Sequence, residues 1–461
     1  MVARVSDPAD ADRYPTLTPA GRAILEHMVE HEAAPIYRNR SGNRLTADDL
    51  VRLAAFERET LAAPVDWRPG VPPDWAMPLV ARAHETVPHY RALGPAPRRF
   101  EAVRPIARAD LAADIAAFVP DDVPVDRLIN FRTTGTTGHP LLIASHPEVA
   151  GRYLTFHKRA LARFGVTPRH GAGQVGVVLL GHQRNCFTYV SVTPSMGESG
   201  LAKINLHPDD WRDPDDRARY LDALAPEIVA GDPISFASLL DLPVTMRPRA
   251  LLSVAMMLTE GLRRRLEDRF GCPVLDLYSM NEVGPIAVFD SAAGGHVLLQ
   301  PGLYVEIVDA NGDAVPPGER GEVCVTGGFN FCLPLLRYRT GDFAALAVAG
   351  GEPVLTGLAG RRPVRFRDAS GGWCNNIDVS HALRHLPIAQ FGLHQALSGA
   401  LTLRLSAHAL HRAAEALAAL APLFGGLAIS VAAVEDDDKI LQYASDLDDP
   451  ALGVRKIPMP L

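Results

Sequence analysis

Five cysteines are all that this 461-residue chain carries, and Cys186, Cys272, Cys324, Cys332 and Cys374 are odd in number, scattered and never spaced as CxxC. That excludes a disulfide framework and a thiolate zinc site, and it points to a reducing compartment. Long apolar runs are missing as well. No uninterrupted stretch reaches bilayer length, and MVARVSDPADADRYP at the N-terminus has aspartates where a secretory leader needs its apolar core. The expected location is the cytoplasm, with no membrane partner. Nor is there an excess of positive charge: the net charge is −7, so no basic field favours nucleic acid. What remains, 47% apolar and 21% charged residues, is the balance of an ordinary globular protein, long enough for two large domains or about three smaller ones.

The first hundred or so residues read as helices broken by prolines. LTPAGRAILEHMVEH has a Thr-Pro start, and WAMPLVARAHETVPHYRAL has apolar residues at helical spacing. They are expected to form a helical apron. From about Gln174 short apolar runs alternate with helical patterns: QVGVVLLG, DRARYLDALAPEIVAG, RALLSVAMM, TEGLRRRLEDRFG, CPVLDLYS. Such alternation implies βαβ units and a parallel sheet. From Leu303, LYVEIVDANGDAVPPGERGEVCVTG shows period-two alternation around Asn-Gly and Pro-Pro-Gly-Glu turns, so antiparallel strands should close the large domain. The final hundred residues, Ala- and Leu-rich, read as a small α/β lid with an amphipathic helix in HRAAEALAALAPLF. The expectation is an α/β protein with a large domain over 1–360 and a small mobile lid over 361–461.

FRTTGTTGHP, Phe131 to Pro140, has four threonines and two glycines in six positions and little to bury. It reads either as a surface turn or as an anion cradle of converging backbone amides and hydroxyl donors. It is not a Walker A loop, because the Lys-Ser/Thr pair is absent and His139 follows the last glycine. Further polar islands end apolar runs, where α/β sheets place their sites: LYSMNEVGP, LRYRTGDF, Gly360-Arg361 and DDDKILQYASD. Their chemistry suits a nucleoside triphosphate with magnesium. Glu282 offers a hard oxygen for Mg²⁺, Tyr278 a flat face for a base, Asp342 an acceptor for both hydroxyls of a ribose, and Lys439 a mobile cation for developing negative charge.

The order and content of these islands resemble the adenylate-forming superfamily of acyl-CoA synthetases, luciferases and adenylation domains. TTGTTGHP resembles its phosphate loop, YSMNE its Tyr-Gly-x-Thr/Ser-Glu motif, RYRTGD its Tyr-Arg-Thr-Gly-Asp motif, and Gly360-Arg361 its hinge. VPHYRAL, RPIARADL and DKI narrow the resemblance to the phenylacetate-CoA ligase branch. It implies that Thr133, Thr134, Gly135, Thr136, Thr137 and Gly138 wrap the phosphates of ATP. Tyr278, Ser279, Asn281, Asp342 and Arg361 would contact the nucleotide, and Glu282 would hold Mg²⁺. Thr134, Glu282 and Lys439 would be catalytic. A carboxylic acid would be adenylated with loss of pyrophosphate and passed to coenzyme A, with the lid turning about Arg361.

For the acid, expected to be aromatic, Phe187 and Tyr189 in GHQRNCFTYVSV and Val254 and Met256 in SVAMM are the candidate pocket residues, although Phe187 and Tyr189 alternate with polar neighbours as core packing would. The partners expected are this small acid and a second copy of the chain. Departures from the pattern are His139 for the loop lysine, Ser279 for glycine, Asn281 for Thr/Ser, a missing carboxylate at Ser253–Met257, Asp438 for glycine and Gln442 for arginine. They leave room for an enzyme that activates an unusual small acid or passes its group to an amine or carrier thiol, and for a nucleotide-binding protein without catalysis. His296 matches the branch's zinc histidine, but no cysteine-rich stretch follows the Thr-Gly-Asp motif, so no zinc is expected.

Overall fold

A computed structural model describes residues 11–132, 141–183, 186–359, 364–434 and 442–448. The threonine-glycine loop, Arg361 and Lys439 lie outside these residues. Five strands run parallel in the order Ser199–Asn205, Val175–Gly181, Ile228–Gly231, Ala250–Ser253, Val274–Met280, with Tyr189–Thr193 antiparallel at the edge. The residues of Val175–Gly181 are almost all buried, as a strand covered on both faces requires. Short connections such as Asp216–Leu224 and Glu260–Phe270 are helical. Thr259 caps the latter by accepting from the Leu262 amide, and Gly271 ends it at φ +66°, a conformation that favours glycine.

At Val274–Met280 the sheet changes character. This strand pairs in parallel with Ala250–Ser253 on one side and antiparallel with Gly284–Asp290 on the other. Beyond it the sheet continues through Gly295–Leu298, Glu352–Ala359, Leu335–Ala349, Arg320–Gly327 and Leu303–Val308, so the expected antiparallel strands join the parallel set in one 13-stranded sheet. The first helix, Pro19–Glu30, is capped by Thr18 and packs Ile24, Leu25 and Met28 into the core over the parallel strands. Burying Leu25 and Met28 completely stabilises the fold by about 1.5–3 kcal/mol each.

A separate two-stranded hairpin, Ile129–Arg132 with Leu142–Ser145, carries the threonine-glycine run between its strands. Two elements were not foreseen: this hairpin, and the two-residue strand Ile106–Ala107, which pairs in parallel with Tyr338 and Arg339.

Residues from 364 onward build their own core, with Phe366, Leu383, Phe391, Leu403, Leu420 and Phe424 between a four-stranded sheet and the helices Asn376–Leu383 and Ala413–Phe424. This unit rests against the large one near the start of helix Glu260–Phe270. Gly261 donates its amide to the Arg384 carbonyl (3.1 Å), Thr259 Oγ1 donates to the Ile388 carbonyl (3.1 Å), and His385 Nδ1 lies 2.9 Å from Glu260. A side chain at Gly261 would collide with the backbone of His385 to Pro387.

Candidate active site

The C-terminal ends of the parallel strands form one edge of the sheet, the usual location of a site in such folds. Tyr278 lies near the end of its strand, and the register Met280↔Gly284 leaves Asn281, Glu282 and Val283 as the turn to the next. Gly284 makes the turn possible: its φ is +73°, and an added Cβ would come within 2.6 Å of the Phe329 ring. The turn is held from behind by Gln300, whose Nε2 donates to the carbonyls of Val283 and Pro285 at 2.7 Å, and by Tyr153, which donates to the Asn281 carbonyl at 3.1 Å.

Glu282 is buried, and its Oε1 accepts a hydrogen bond from the Tyr338 hydroxyl at 3.2 Å, with Arg108 Nη1 at 3.5 Å. Burial raises the Glu282 carboxyl above its usual range, the Arg108 and Tyr338 contacts oppose this, and the Asp342 charge adds to it. Tyr278 donates to Asp342 Oδ2 at 2.8 Å, joining residues 64 apart in sequence. Burial, and after it the Asp342 charge, push the Tyr278 phenol well above 10, so the hydroxyl remains a donor at neutral pH.

Asp342 is presented by a braced loop. Thr340 Oγ1 donates to the Val323 carbonyl and accepts from the Asp342 amide, the Gly341 amide donates to Glu322 Oε1 at 2.9 Å, and Arg339 pairs with the same Glu322. Sequence reasoning selected Asp342 and Glu282 but missed Arg108 and Tyr338. Both lie inside quoted runs, RPIARADL and RYRTGD, and neither run tells which of its polar side chains turns toward Glu282.

The hairpin bearing the threonine-glycine run has its own mounting. Asp49 is fully buried and accepts from Arg127 at 2.6 and 3.1 Å, two residues before the hairpin begins. On the exit side Glu148 holds Arg52 and Arg152, and the Nδ1 of His146, which caps the following helix, accepts from the Glu148 amide. Asp49, His146 and Glu148 are close enough to bind a metal together, but each carboxylate already holds arginines, which makes the cluster a brace.

Of the pocket candidates, Val254 is half-buried and follows the strand next to that of Tyr278, with Met256 half-buried two residues on. Phe187 is exposed, and its ring meets Tyr189 edge-on at 5.6 Å. Tyr189 belongs to the edge strand, five strands from Tyr278, about 24 Å at the usual interstrand spacing. Ser279 is half-buried and Asn281 exposed. His296 lies in the strand Gly295–Leu298, 3.8 Å from Asp276. No described helix is long and apolar enough to cross a membrane.

Residues 128–331, the span that includes the hairpin, Tyr278 and Glu282, match the family model described as AMP-binding enzyme. Phenylacetate-coenzyme A ligase of Aromatoleum evansii is 25% identical over 58% of this chain and 64% of its own length. That of Thermus thermophilus is 25% identical over 58% and 63%, and that of Pseudomonas putida 33% identical over 21% and 23%. The matched regions thus span less than two thirds of these relatives. In fold, the chain is similar to 2-hydroxyisobutyryl-CoA ligase in the postadenylation state with 2-HIB-AMP, with a TM-score of 0.60 at 16% identity over 87% of this chain and 90% of that one. An adenylate-enzyme architecture, with a Tyr-Asp pair and a buried glutamate at the strand ends, accords with both comparisons: residues 128–331 match the AMP-binding enzyme family, and the chain is similar in sequence to phenylacetate-coenzyme A ligases.

Proposed function

We propose that this chain is an AMP-forming acid–coenzyme A ligase. The observation that carries the reading is the bond from Tyr278 to Asp342 beside the buried Glu282 at the strand ends. Asp342, aimed by Tyr278 and the Thr340 and Glu322 contacts, accepts the ribose diol, and the Tyr278 ring flanks the adenine. Thr133, Thr134, Gly135, Thr136, Thr137 and Gly138, carried by the braced hairpin, wrap the β- and γ-phosphates.

The donor set suits magnesium, since Glu282 is a single buried carboxylate at the strand ends, a hard oxygen ligand of the kind that a partly hydrated Mg²⁺ takes, and a bound cation would offset the burial that disfavours its charge. Bound by Glu282, the ion would neutralise charge on the phosphates. Arg108 supplies a second positive charge beside the same carboxylate.

The substrate carboxylate attacks the α-phosphorus in line. An O–P bond forms, the α–β bridge breaks and pyrophosphate leaves, while Lys439 offsets the developing charge. The coenzyme A thiol then attacks the acyl carbon, its proton going to solvent or a nearby base, and AMP departs. Between the steps the unit from residue 364 onward turns about Arg361, and in closing it keeps water from the mixed anhydride.

Val254 and Met256, one strand from Tyr278, are the nearer pocket wall. Phe187 and Tyr189, on the far side of the parallel strands, lie beyond the reach of a small acid seated beside Val254 and Met256. An aromatic acid is the first choice, because the relatives named above are phenylacetate ligases. The test is ATP–pyrophosphate exchange across a panel of aromatic and small acids, followed by thioester formation with and without coenzyme A. Silence for every acid, with ATP still bound, would leave a nucleotide-binding protein without catalysis. Exchange without thioester would move the acceptor to an amine or carrier thiol.

A further inference from the structure

Between the helices Ala47–Ala62, Ala76–Thr86 and Pro147–Arg163 and the turns at 300–302 and 327–331 lies a cavity of about 670 Å³. It is separate from the candidate active site, since none of Arg108, Tyr278, Glu282, Tyr338 and Asp342 lines it. Four phenylalanines wall it. Phe156 and Phe329 pack with ring centres 5.0 Å apart, and the guanidinium carbon of Arg152 lies 4.4 Å from the centre of the Phe56 ring and 5.2 Å from that of Phe331. Gly302, Gly327 and Gly328 line it with bare backbone, and a Cβ added at Gly302 would meet nothing within 4 Å. Protein interiors are filled to the density of organic crystals, with few voids larger than a water molecule, so helices packing on a sheet do not account for an opening of this size. Volume, aromatic walls and a few polar groups are those of a small-molecule site.

Charge selects the ligand. Arg152 Nη2 donates to Glu148 at 2.6 Å and Nη1 to the Phe329 carbonyl at 3.1 Å, while its buried Nε has no acceptor among the described residues. Glu148 is shared with Arg52, and Asp49 with Arg52 and Arg127, so two buried carboxylates face three guanidiniums. One positive charge is left over, and Arg152, 18% exposed, is the member of the cluster that lines the cavity. On the solvent side Arg82 and Asp122 offset each other at 2.6 Å, and Glu59 is exposed, where salt screens its charge. We infer that this cavity is a second ligand site, which takes a flat aromatic monocarboxylate with its rings among the phenylalanines and its carboxylate at Arg152. The site adjoins the mount of the threonine-glycine run. Asn330, in its wall, donates to the carbonyl of Ala144 in the exit strand of that hairpin at 3.0 Å, and Arg152 holds Glu148 just beyond it. Occupancy therefore steadies the hairpin. The inference does not rest on the ligase reading.

The probe is 2-naphthoate, titrated by calorimetry without nucleotide. The wild type should bind it saturably, and should bind 2-naphthamide, which keeps the rings and lacks the charge, about tenfold more weakly, the scale of one hydrogen bond to a charged group. Phe331→Ala takes one ring from the guanidinium and Gly302→Trp fills the opening, and each should weaken 2-naphthoate by about fivefold or more, the scale of one cation–aromatic contact. Urea unfolding serves as the control for folding of both variants. Hydrogen exchange in Ile129–Arg132 and Leu142–Ser145 should slow when the wild type is saturated with 2-naphthoate, and not in Gly302→Trp. No saturable binding, equal affinity for the amide, or an affinity untouched in both variants, as binding in the proposed active site would give, overturns the inference, and so does unchanged exchange in the hairpin of the saturated wild type. Pyrophosphate exchange with a panel of acids reports separately on the ligase reading: its absence would sink that reading, and the titration would still decide the cavity.

Discussion

Tyr278 and Asp342 offer a way to test the nucleotide site through one hydrogen bond. Asp342→Ala removes the acceptor proposed for the ribose diol, and a hydrogen bond to a charged group contributes about 1.5–3 kcal/mol, so the ATP dissociation constant should rise by about 10- to 150-fold. Tyr278→Phe keeps the ring and removes only the hydroxyl that sits 2.8 Å from Asp342 Oδ2. If that hydroxyl acts by aiming the carboxylate, its loss should cost about 0.5–1.5 kcal/mol, a weakening of about 2- to 12-fold. The double variant should bind little worse than Asp342→Ala alone, because there is then no carboxylate left to aim. Calorimetric titration of ATP on the four proteins, with urea unfolding as the control for folding, gives the whole cycle. Losses that add to within about 0.3 kcal/mol would show that the two residues act independently, and an unaltered constant in Asp342→Ala would remove it from the site.

Glu282→Gln should lower magnesium-dependent pyrophosphate release by about a hundredfold, the scale of one preorganised electrostatic contact, while urea stability holds or rises because a buried charge is gone; full activity would refute its role. Asp49→Ala strands Arg127 and should cost about 2 kcal/mol or more in urea unfolding at neutral pH. Burial opposes ionisation of Asp49, but the Arg127 and Thr46 contacts outweigh it and hold the carboxyl well below its usual range. Its contribution is therefore complete above the unfolded value and lost on acidification, so the gap between variant and wild type should begin to close below about pH 4. Gly284→Ala should cost about 1–3 kcal/mol from its φ of +73° and the Phe329 contact; a neutral result by thermal unfolding would show that the turn can relax.

Elements were legible in the sequence where one local pattern decided them. The apolar run of QVGVVLLG becomes the strand Val175–Gly181, and the caps Thr18 and Thr259 sit where the helices start. Glu282 and Asp342 could be singled out because their polar islands, LYSMNEVGP and LRYRTGDF, end apolar runs, and the structure brings both beside Tyr278. What was not legible depends on pairings across the chain. Arg108 reaches Glu282 over 174 positions, and nothing in RPIARADL distinguishes it from the surface arginines nearby. Ile106–Ala107 is too short to show a period and exists only because Tyr338 and Arg339 offer it an edge. The distance of Phe187 and Tyr189 from Tyr278 follows from strand order, and strand order leaves no local mark.

The long sequence separations at the site also bear on synthesis. Tyr278 gains its partner only when Asp342 has been made and its strand docked, 64 residues later, and Glu282 waits 56 residues for Tyr338. A nascent chain released before Leu335–Ala349 therefore carries the parallel strands but lacks the carboxylate proposed to hold the ribose. Contacts of such range form late, after the loop entropy has been overcome. If Asp342 holds the ribose as proposed, nucleotide affinity marks finished folding: ATP added during refolding should leave early species unaffected and stabilise only the last one.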